Sequence, residues 1–278
     1  MKPAAELQPD QRAADWDDHV EVYEAAFEPL SIAFATRALA LLDLSPGETL
    51  IDVAAGSGGA ALIAAERGAK VLAVDASKQM IERLRERAAR HAQGRSIRAE
   101  VMDGVELAVP DARFDAAISA FGVILFPDAE RGMREIARVL KPGGRVALVA
   151  WTESERYELM TRLLEAVAAV RGPQPPPASL PAQLRFREPD ALRRLLESAA
   201  LVVREIVRME EEWRLASARW IAERVAFAPG MTALIASLGP DRRAVLEAFV
   251  AGLERDQGKG EVSLRAVAHA GLAVKPGD

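Results

Sequence analysis

An aspartate closes an apolar run shortly after a glycine-rich turn. Asp75 follows the apolar residues 71–74, and it lies 19 positions after Gly56 of the turn 54–59. Glycines let a backbone approach a ligand closely, and the N-terminus of a following helix offers free N–H groups. A carboxylate about 20 residues further on can accept hydrogen bonds from ribose hydroxyls. These residue types in this order predict a site for a cofactor that contains a nucleoside.

Short strands and helices must hold these residues in place. Residues 50–53 predict a buried strand, residues 60–67 a helix that ends at Gly68, and residues 71–74 a second strand. Further strands are predicted at 97–102, 114–119 and 145–151, with helices starting at Ser77 and Asp128 between them. Such alternation of strands and helices predicts a mostly parallel sheet with right-handed crossovers.

The flanking regions are predicted to be mainly helical. Residues 1–14 have the composition of a disordered segment, and residues 16–44 have helical periodicity with a break at Pro29. After residue 151 the pattern predicts helices at 155–170, 188–200, 217–237 and 240–255, a proline-rich connector at 171–181, and strands at 202–213 and 262–274. We therefore expect an N-terminal helical lid at 1–44, a cofactor-binding core at 45–151, and a C-terminal part at 152–278 with a helical insertion on the substrate side.

Composition excludes several classes of function. The chain has 278 residues, a formal net charge of −5 and no cysteine. The acidic balance argues against nucleic acid as a partner, and the lack of cysteine excludes disulfides and thiolate metal sites. The N-terminus lacks the apolar segment of a signal peptide, and no apolar run is long enough to span a membrane. We expect a soluble, cytoplasmic protein without a bound metal, and the sequence leaves its oligomeric state open.

Four segments together resemble one enzyme family. They are IDVAAGSGG at 51–59, VLAVDAS at 71–77, the strand that ends in Asp103-Gly104, and the run 114–151 with its KPGG turn. In this order they resemble the class I S-adenosylmethionine-dependent methyltransferases, especially the small-molecule branch with the ubiquinone and menaquinone methyltransferases and a methyltransferase type 11 domain. The resemblance implies an α/β, Rossmann-like fold: a seven-stranded, mostly parallel sheet with helices on both faces, an N-terminal helical lid and a helical insertion before the last strands.

The resemblance also implies a cofactor site, residue by residue. Asp52, Ala54, Gly56 and Gly58, with Ser57 nearby, would line the pocket for the methionine part of S-adenosylmethionine. Asp75 would bind the ribose hydroxyls, Ala76 and Met80 would pack on the adenine, and Asp103 with Gly104 would bind its amino group. Ser119, Ala120 and Phe121 would face the methionine part and the sulfonium. The product would be S-adenosylhomocysteine.

The catalytic and acceptor-binding residues stay open at this stage. His19 is a candidate for a catalytic or substrate contact, because it falls near Trp16 and Tyr23 in the expected lid. These two aromatic residues and Phe27 fit lid or core packing better than a substrate cage. Asp52 could hold the turn, meet the cofactor's ammonium, or do both. No general base is evident, which suits a nitrogen acceptor, an acidic phenol or enol, or a base that the sequence does not identify.

The predicted function is in-line methyl transfer from S-adenosylmethionine to a small molecule. Two alternatives remain from the sequence. GSGGAA at 56–61 also fits the G-x-G-x-x-A turn of an NAD(P)-dependent oxidoreductase. The same fold could also serve a non-catalytic S-adenosylmethionine-binding protein.

Overall fold

The computed structural model describes residues 7–152, 157–175 and 180–277. Its sheet has seven strands in the order β3-β2-β1-β4-β5-β7-β6. The strands are β1 Thr49–Val53, β2 Lys70–Asp75, β3 Ile97–Val101, β4 Phe114–Ala120, β5 Leu140–Trp151, β6 Val202–Leu215 and β7 Val262–Val274. Only β7 runs against its neighbours β5 and β6 among the described strands, so the predicted mostly parallel sheet is confirmed.

Eleven α-helices accompany the sheet in the described ranges. They are α1 Ala13–Trp16, α2 Val20–Val22, α3 Glu28–Leu41, α4 Gly59–Glu66, α5 Lys78–Arg90, α6 Ala129–Val139, α7 Glu158–Arg171, α8 Pro189–Glu197, α9 Ala218–Arg224, α10 Pro229–Ser237 and α11 Arg242–Gln257. Five helices follow β5 in the described ranges. Of these, α7 and α8 precede β6, whereas α9, α10 and α11 lie between β6 and β7. Part of the predicted proline-rich connector, residues 176–179, lies outside the described residues.

The order of the strands explains where a ligand can bind. From β1 the sheet continues through β2 to β3 on one side, and through β4 to β5 on the other. Right-handed crossovers in opposite directions place the connecting helices on opposite faces. The direction of strand addition changes between β1 and β4. The loops after these two strands therefore diverge and leave a crevice at their carboxyl ends. The glycine-rich turn after β1 lies at this crevice.

Local sequence signals explain the helices that flank the crevice. Ser77 caps α5, since its hydroxyl accepts the Met80 N–H at 3.2 Å. Asp128 caps α6 in the same way, accepting the Arg131 N–H at 2.8 Å. Each helix turns its apolar residues, such as Leu84 and Met133, into the core.

The N-terminal region departs from the sequence prediction in two ways. Residues 7–14, which were expected to be disordered, contain a 3₁₀ turn at Pro9–Gln11 and the start of α1, while residues 1–6 lie outside the described part. Pro29 does not break the helix, because it occupies the first turn of α3, where a missing N–H costs little. The helical region therefore begins earlier than predicted, and its main helix starts where a break was expected.

Candidate functional site

A large cavity opens at the carboxyl ends of the parallel strands. Its volume is about 1740 Å³, which exceeds the ~300–1,000 Å³ of a typical small-molecule site. Loops after β1 to β5 form one side, and the N-terminal segment, α7, the turn at 181–188 and α10 form the others. The cavity has room for a cofactor and an acceptor side by side.

The glycine-rich turn has an unusual backbone that brings it close to the cavity. Ala54, Gly56 and Gly58 have φ values of 59°, 55° and 95°, in the left-handed region. A Cβ on Gly58 would lie 2.4 Å from Cγ of Leu84, so this position requires glycine on two grounds. Ala54 and Gly56 line the cavity, whereas Gly58 packs on α5 behind the turn.

Asp75 holds the turn and faces the cavity at the same time. Its carboxylate accepts the Gly56 N–H at 2.8 Å and the Ser77 N–H at 2.9 Å. Burial raises the pKa of this carboxyl, although the backbone hydrogen bonds oppose that shift. Two carboxylate oxygens have about four acceptor positions, so a ribose diol can still donate to Asp75.

Asp103 lies two residues beyond the end of β3, whose last residue, Val101, pairs with Asp75. It follows β3, is exposed, and accepts the Val105 N–H at 3.0 Å. The next residue, Gly104, has no space for a side chain, because a Cβ there would lie 2.4 Å from Cζ of Phe126. Asp103, Gly104, Ala76 and Met80 all line the cavity. The predicted ribose and adenine positions are thus brought together at one end.

The end of β4 contributes the next part of the wall. Ala120 and Phe121 line the cavity, and Phe121 has φ 63°, a strained value for an aromatic residue. Its ring stacks on Trp151 with 4.1 Å between centroids. Ser119 does not line the cavity. Its buried hydroxyl instead accepts the Val123 N–H at 3.1 Å.

Asp52 is buried beneath the glycine-rich turn and does not line the cavity. Its side chain is 1% exposed, and its Oδ2 has no hydrogen-bond partner among the described residues. Burial first, and then the charge of Asp75, raise the pKa of Asp52 to about 7, while a backbone hydrogen bond from Ala61 lowers it. Asp52 thus has an acceptor oxygen without a partner among the described residues, but no surface on the cavity through which a ligand could reach it.

We expect the pH dependence of stability to report on Asp52. Because its folded pKa lies above the usual 3.8, the folded state retains a proton that the unfolded state loses, and the free energy of unfolding falls as pH rises from about 4 to about 7. Asp52→Asn should raise stability by about 1–2 kcal/mol at pH 5, where the unfolded state has already lost its proton, and by at most about 4 kcal/mol at pH 8.5. Urea unfolding of the ligand-free protein at both pH values measures this, and equal differences at both would contradict it.

Ser57 belongs to an ion-pair cluster behind the turn and does not line the cavity. Its hydroxyl donates to Glu28 at 2.8 Å, and Arg87 donates to its carbonyl at 3.0 Å. Glu24 completes the cluster with ion pairs to Arg87 and Arg83. These contacts connect α3 and α5 to the glycine-rich turn.

Aromatic residues form the far side of the cavity. The Phe27 ring stacks on Phe227 at 5.0 Å, and Trp151 stacks on Tyr157 at 4.9 Å. All four line the cavity, together with the apolar side chains of Met160, Leu164, Val167, Met231, Leu234 and Leu238. Sequence reasoning missed Tyr157 and Phe227, because neither falls in a motif and both reach the site through the C-terminal insertion.

The N-terminal segment, residues 7–19, covers the cavity and is fastened at several points. Asp10 accepts the Gly230 N–H at 2.6 Å, and Gln8 accepts the Ala182 N–H at 2.7 Å. At its other end the Ser77 hydroxyl donates to Asp17 at 2.6 Å. Trp16 and Tyr23 line the cavity beneath this cover.

His19 is placed outside the cavity lining. Its ring bonds the Asp15 carbonyl at 2.6 Å and the Thr232 hydroxyl at 2.8 Å. This geometry gives His19 a role in fastening the N-terminal segment to α10. Over the described ranges no group of three or more His, Cys, Asp or Glu side chains could hold a metal, and no helix there is long and apolar enough to cross a membrane.

Comparison with known proteins also places the chain in a methyltransferase family. Residues 51–148 match the family model described as a methyltransferase domain. The demethylmenaquinone methyltransferase of Corynebacterium kroppenstedtii is 35% identical over 167 residues, which cover 57% of this chain and 69% of that protein. An uncharacterized protein of Mycobacterium tuberculosis is 34% identical over 135 residues, 49% of this chain and 47% of its own length. The chain thus spans about half the length of the mycobacterial relatives and about two thirds of the corynebacterial enzyme.

Solved structures share the fold across most of the chain. The [4+2]-cyclase SpnF has a TM-score of 0.62 and 18% identity, and 98% of each chain is covered. The YcgJ protein of Bacillus subtilis has a TM-score of 0.58 and 17% identity, with 89% of this chain and 99% of that chain covered. At these identities the likeness concerns the fold alone.

Proposed function

The chain belongs to the S-adenosylmethionine-dependent methyltransferases, and from that premise we propose that it methylates a small, largely apolar molecule. The observation that carries the proposal is the two-sided cavity, with carboxylates at one end and aromatic rings at the other. The family match favours this function over the NAD(P)-dependent and non-catalytic alternatives.

The carboxylate end suits the nucleoside of the cofactor. We assign the ribose hydroxyls to Asp75 and the adenine amino group to Asp103, with Ala76 and Met80 against the ring. Ala54 and Gly56 present backbone to the methionine part, and Asp52 lies directly behind them with its unpartnered oxygen. When bound, S-adenosylmethionine supplies an electrophilic methyl group on a sulfonium. Ala120 and Phe121 would border that group.

The aromatic end suits a flat, apolar acceptor. Phe27, Trp151 and Phe227 stack on neighbouring rings and together form a rigid apolar wall that can contact an acceptor and exclude water. Relatives are named demethylmenaquinone methyltransferase and 27-O-demethylrifamycin SV methyltransferase. Demethylmenaquinone is therefore the first acceptor to test, and the rifamycin precursor is the second.

The residues around the acceptor position it rather than deprotonate it. No histidine lines the cavity within the described part of the chain. Burial raises the pKa of Tyr157 well above its usual value, so its hydroxyl keeps its proton and is no base. In-line transfer then depends on holding the acceptor atom against the methyl group in a dry site.

Ligand binding and methyl transfer test the proposal directly. We expect titration calorimetry to show S-adenosylhomocysteine binding at micromolar concentration and no comparable binding of NADH. Labelled methyl groups should pass from S-adenosylmethionine to demethylmenaquinone that has first been reduced to its quinol with dithionite, or to a compound in a bacterial metabolite extract. Tight NADH binding without S-adenosylhomocysteine binding would refute the cofactor assignment. Cofactor binding without transfer to any acceptor would refute the enzymatic assignment alone.

A further inference from the structure

One arginine in the cavity wall lacks the acidic partner that the others have. Five arginines line the cavity, and four of them form an ion pair: Arg12 with Asp15, Arg131 with Glu106, Arg171 with Asp241, and Arg187 with Glu188. Arg185 forms no ion pair with any residue in the described ranges. It is therefore the one cation of this wall whose charge is left without a carboxylate.

Backbone carbonyls hold the Arg185 guanidinium in a fixed place. Its Nη2 donates to the carbonyls of Ile124, at 2.7 Å, and Phe126. Its Nε donates to the carbonyl of Ala182 at 3.3 Å. These contacts use the Nε and Nη2 edge of the planar guanidinium group. Nη1 has no hydrogen-bond acceptor among the described residues. The loop that holds Nη2 follows Phe121 directly, which borders the proposed position of the sulfonium.

The charge of Arg185 is only partly compensated by these contacts. Carbonyl dipoles satisfy donors but do not neutralise a guanidinium, and the side chain is half-buried. Burial lowers the pKa of Arg185, while the charge of Asp128 opposes that shift from a distance. The Asp128 carboxylate itself caps α6 through the Arg131 N–H. A bound anion would supply the missing charge and the acceptor for Nη1.

We propose that Arg185 binds an anionic oxygen of the methyl acceptor, such as a phenolate, an enolate or a carboxylate. This inference rests on the proposed function and narrows its substrate class. An acceptor that arrives as an anion needs no general base, because its lone pair forms the new bond to carbon while the carbon–sulfur electrons leave with sulfur. The product is neutral at that oxygen and no proton is displaced. The absence of a histidine from the described cavity wall then has a chemical reason.

The experiment uses two probes of nearly equal shape and different charge. We would measure the dissociation constants of 2-naphthoate and 2-naphthamide for the full chain saturated with S-adenosylhomocysteine, by quenching of tryptophan fluorescence. Wild-type protein should bind the carboxylate about tenfold more tightly than the amide, as expected for charge-assisted hydrogen bonds. Arg185→Met should remove that preference, and Arg185→Lys should restore part of it.

A neighbouring arginine provides the matched control. Arg187 lines the same cavity but is paired with Glu188, so Arg187→Met should keep the tenfold preference. Equal binding of both probes by the wild type, or no binding, would overturn the proposal. So would an Arg185→Met variant that keeps the preference and only melts earlier, because that result makes Arg185 a structural clamp.

The carboxylate of the cofactor is the other anion that Arg185 could bind. Affinity for S-adenosylhomocysteine should be the same in Arg185→Met and wild type. A large loss of that affinity with the probe preference intact would assign Arg185 to the cofactor and overturn the proposal. If the wild type does not bind S-adenosylhomocysteine, the proposed function fails, and the probe preference measured without it still decides the role of Arg185.

Discussion

Asp75→Asn should weaken the binding of S-adenosylhomocysteine by about a hundredfold or more. The carboxylate that accepts the Gly56 and Ser77 N–H groups is also the proposed acceptor of two ribose hydroxyls. An asparagine keeps one acceptor oxygen and turns an NH₂ group toward donors. Two charge-assisted hydrogen bonds, each of about 1.5–3 kcal/mol, account for the expected loss.

Titration calorimetry at pH 8 measures this effect. Asp18→Asn is the control, because Asp18 is an exposed carboxylate in the N-terminal segment and does not line the cavity. Its affinity for S-adenosylhomocysteine should equal that of the wild type. An Asp75→Asn variant that binds within about threefold of the wild type would remove Asp75 from the ribose site.

Arg87→Met should lower the free energy of unfolding by about 2–3 kcal/mol. Arg87 donates to Glu28 at 2.6 Å and also to the carbonyl and hydroxyl oxygens of Ser57. Its removal leaves the Glu28 carboxylate, which is 7% exposed, without its positive partner. Loss of one member of a buried pair costs about 3–5 kcal/mol, and the 23% exposure of the Arg87 side chain reduces that figure.

Urea unfolding measures this loss. Arg85→Met is the matched control on the same helix, because the exposed Arg85 side chain donates to the Ala99 carbonyl and to no carboxylate of the described residues. The double variant Arg87→Met with Glu28→Gln should recover part of the stability, since the uncompensated charge is then absent. If Arg87→Met costs no more than Arg85→Met, the cluster does not fasten α3 to the turn.

The core of the fold was predictable because its signals are local. Strands β1, β2 and β4 are mostly short apolar runs, and the helices after β1 and β2 have a stop or a cap close by, at Gly68 and Ser77. Asp75 and Asp103 could be placed because both fall at or just beyond the carboxyl end of a strand. Parallel neighbours bring such positions together regardless of the rest of the chain.

The parts that escaped prediction depend on distant contacts. Residues 7–14 are polar and looked disordered, yet Gln8 and Asp10 are bonded to residues more than 170 positions away. Within the turn, Ser57 and Gly56 are neighbours in sequence, but only Gly56 lines the cavity. The sequence shows Glu188 beside Arg187, but it does not show that the carbonyls of Ile124 and Phe126 hold Arg185 at the cavity wall.

The attachments of residues 7–19 have a consequence for how the two ligands affect each other. This one segment is bonded to the loop that begins α5, beside the proposed ribose site, and to α10, beside the proposed acceptor site. When the cofactor or the acceptor binds and restricts the motion of this segment, the second ligand has less conformational entropy left to remove. Cofactor and acceptor should therefore bind with positive cooperativity, and by thermodynamic linkage each should raise the affinity for the other by the same factor.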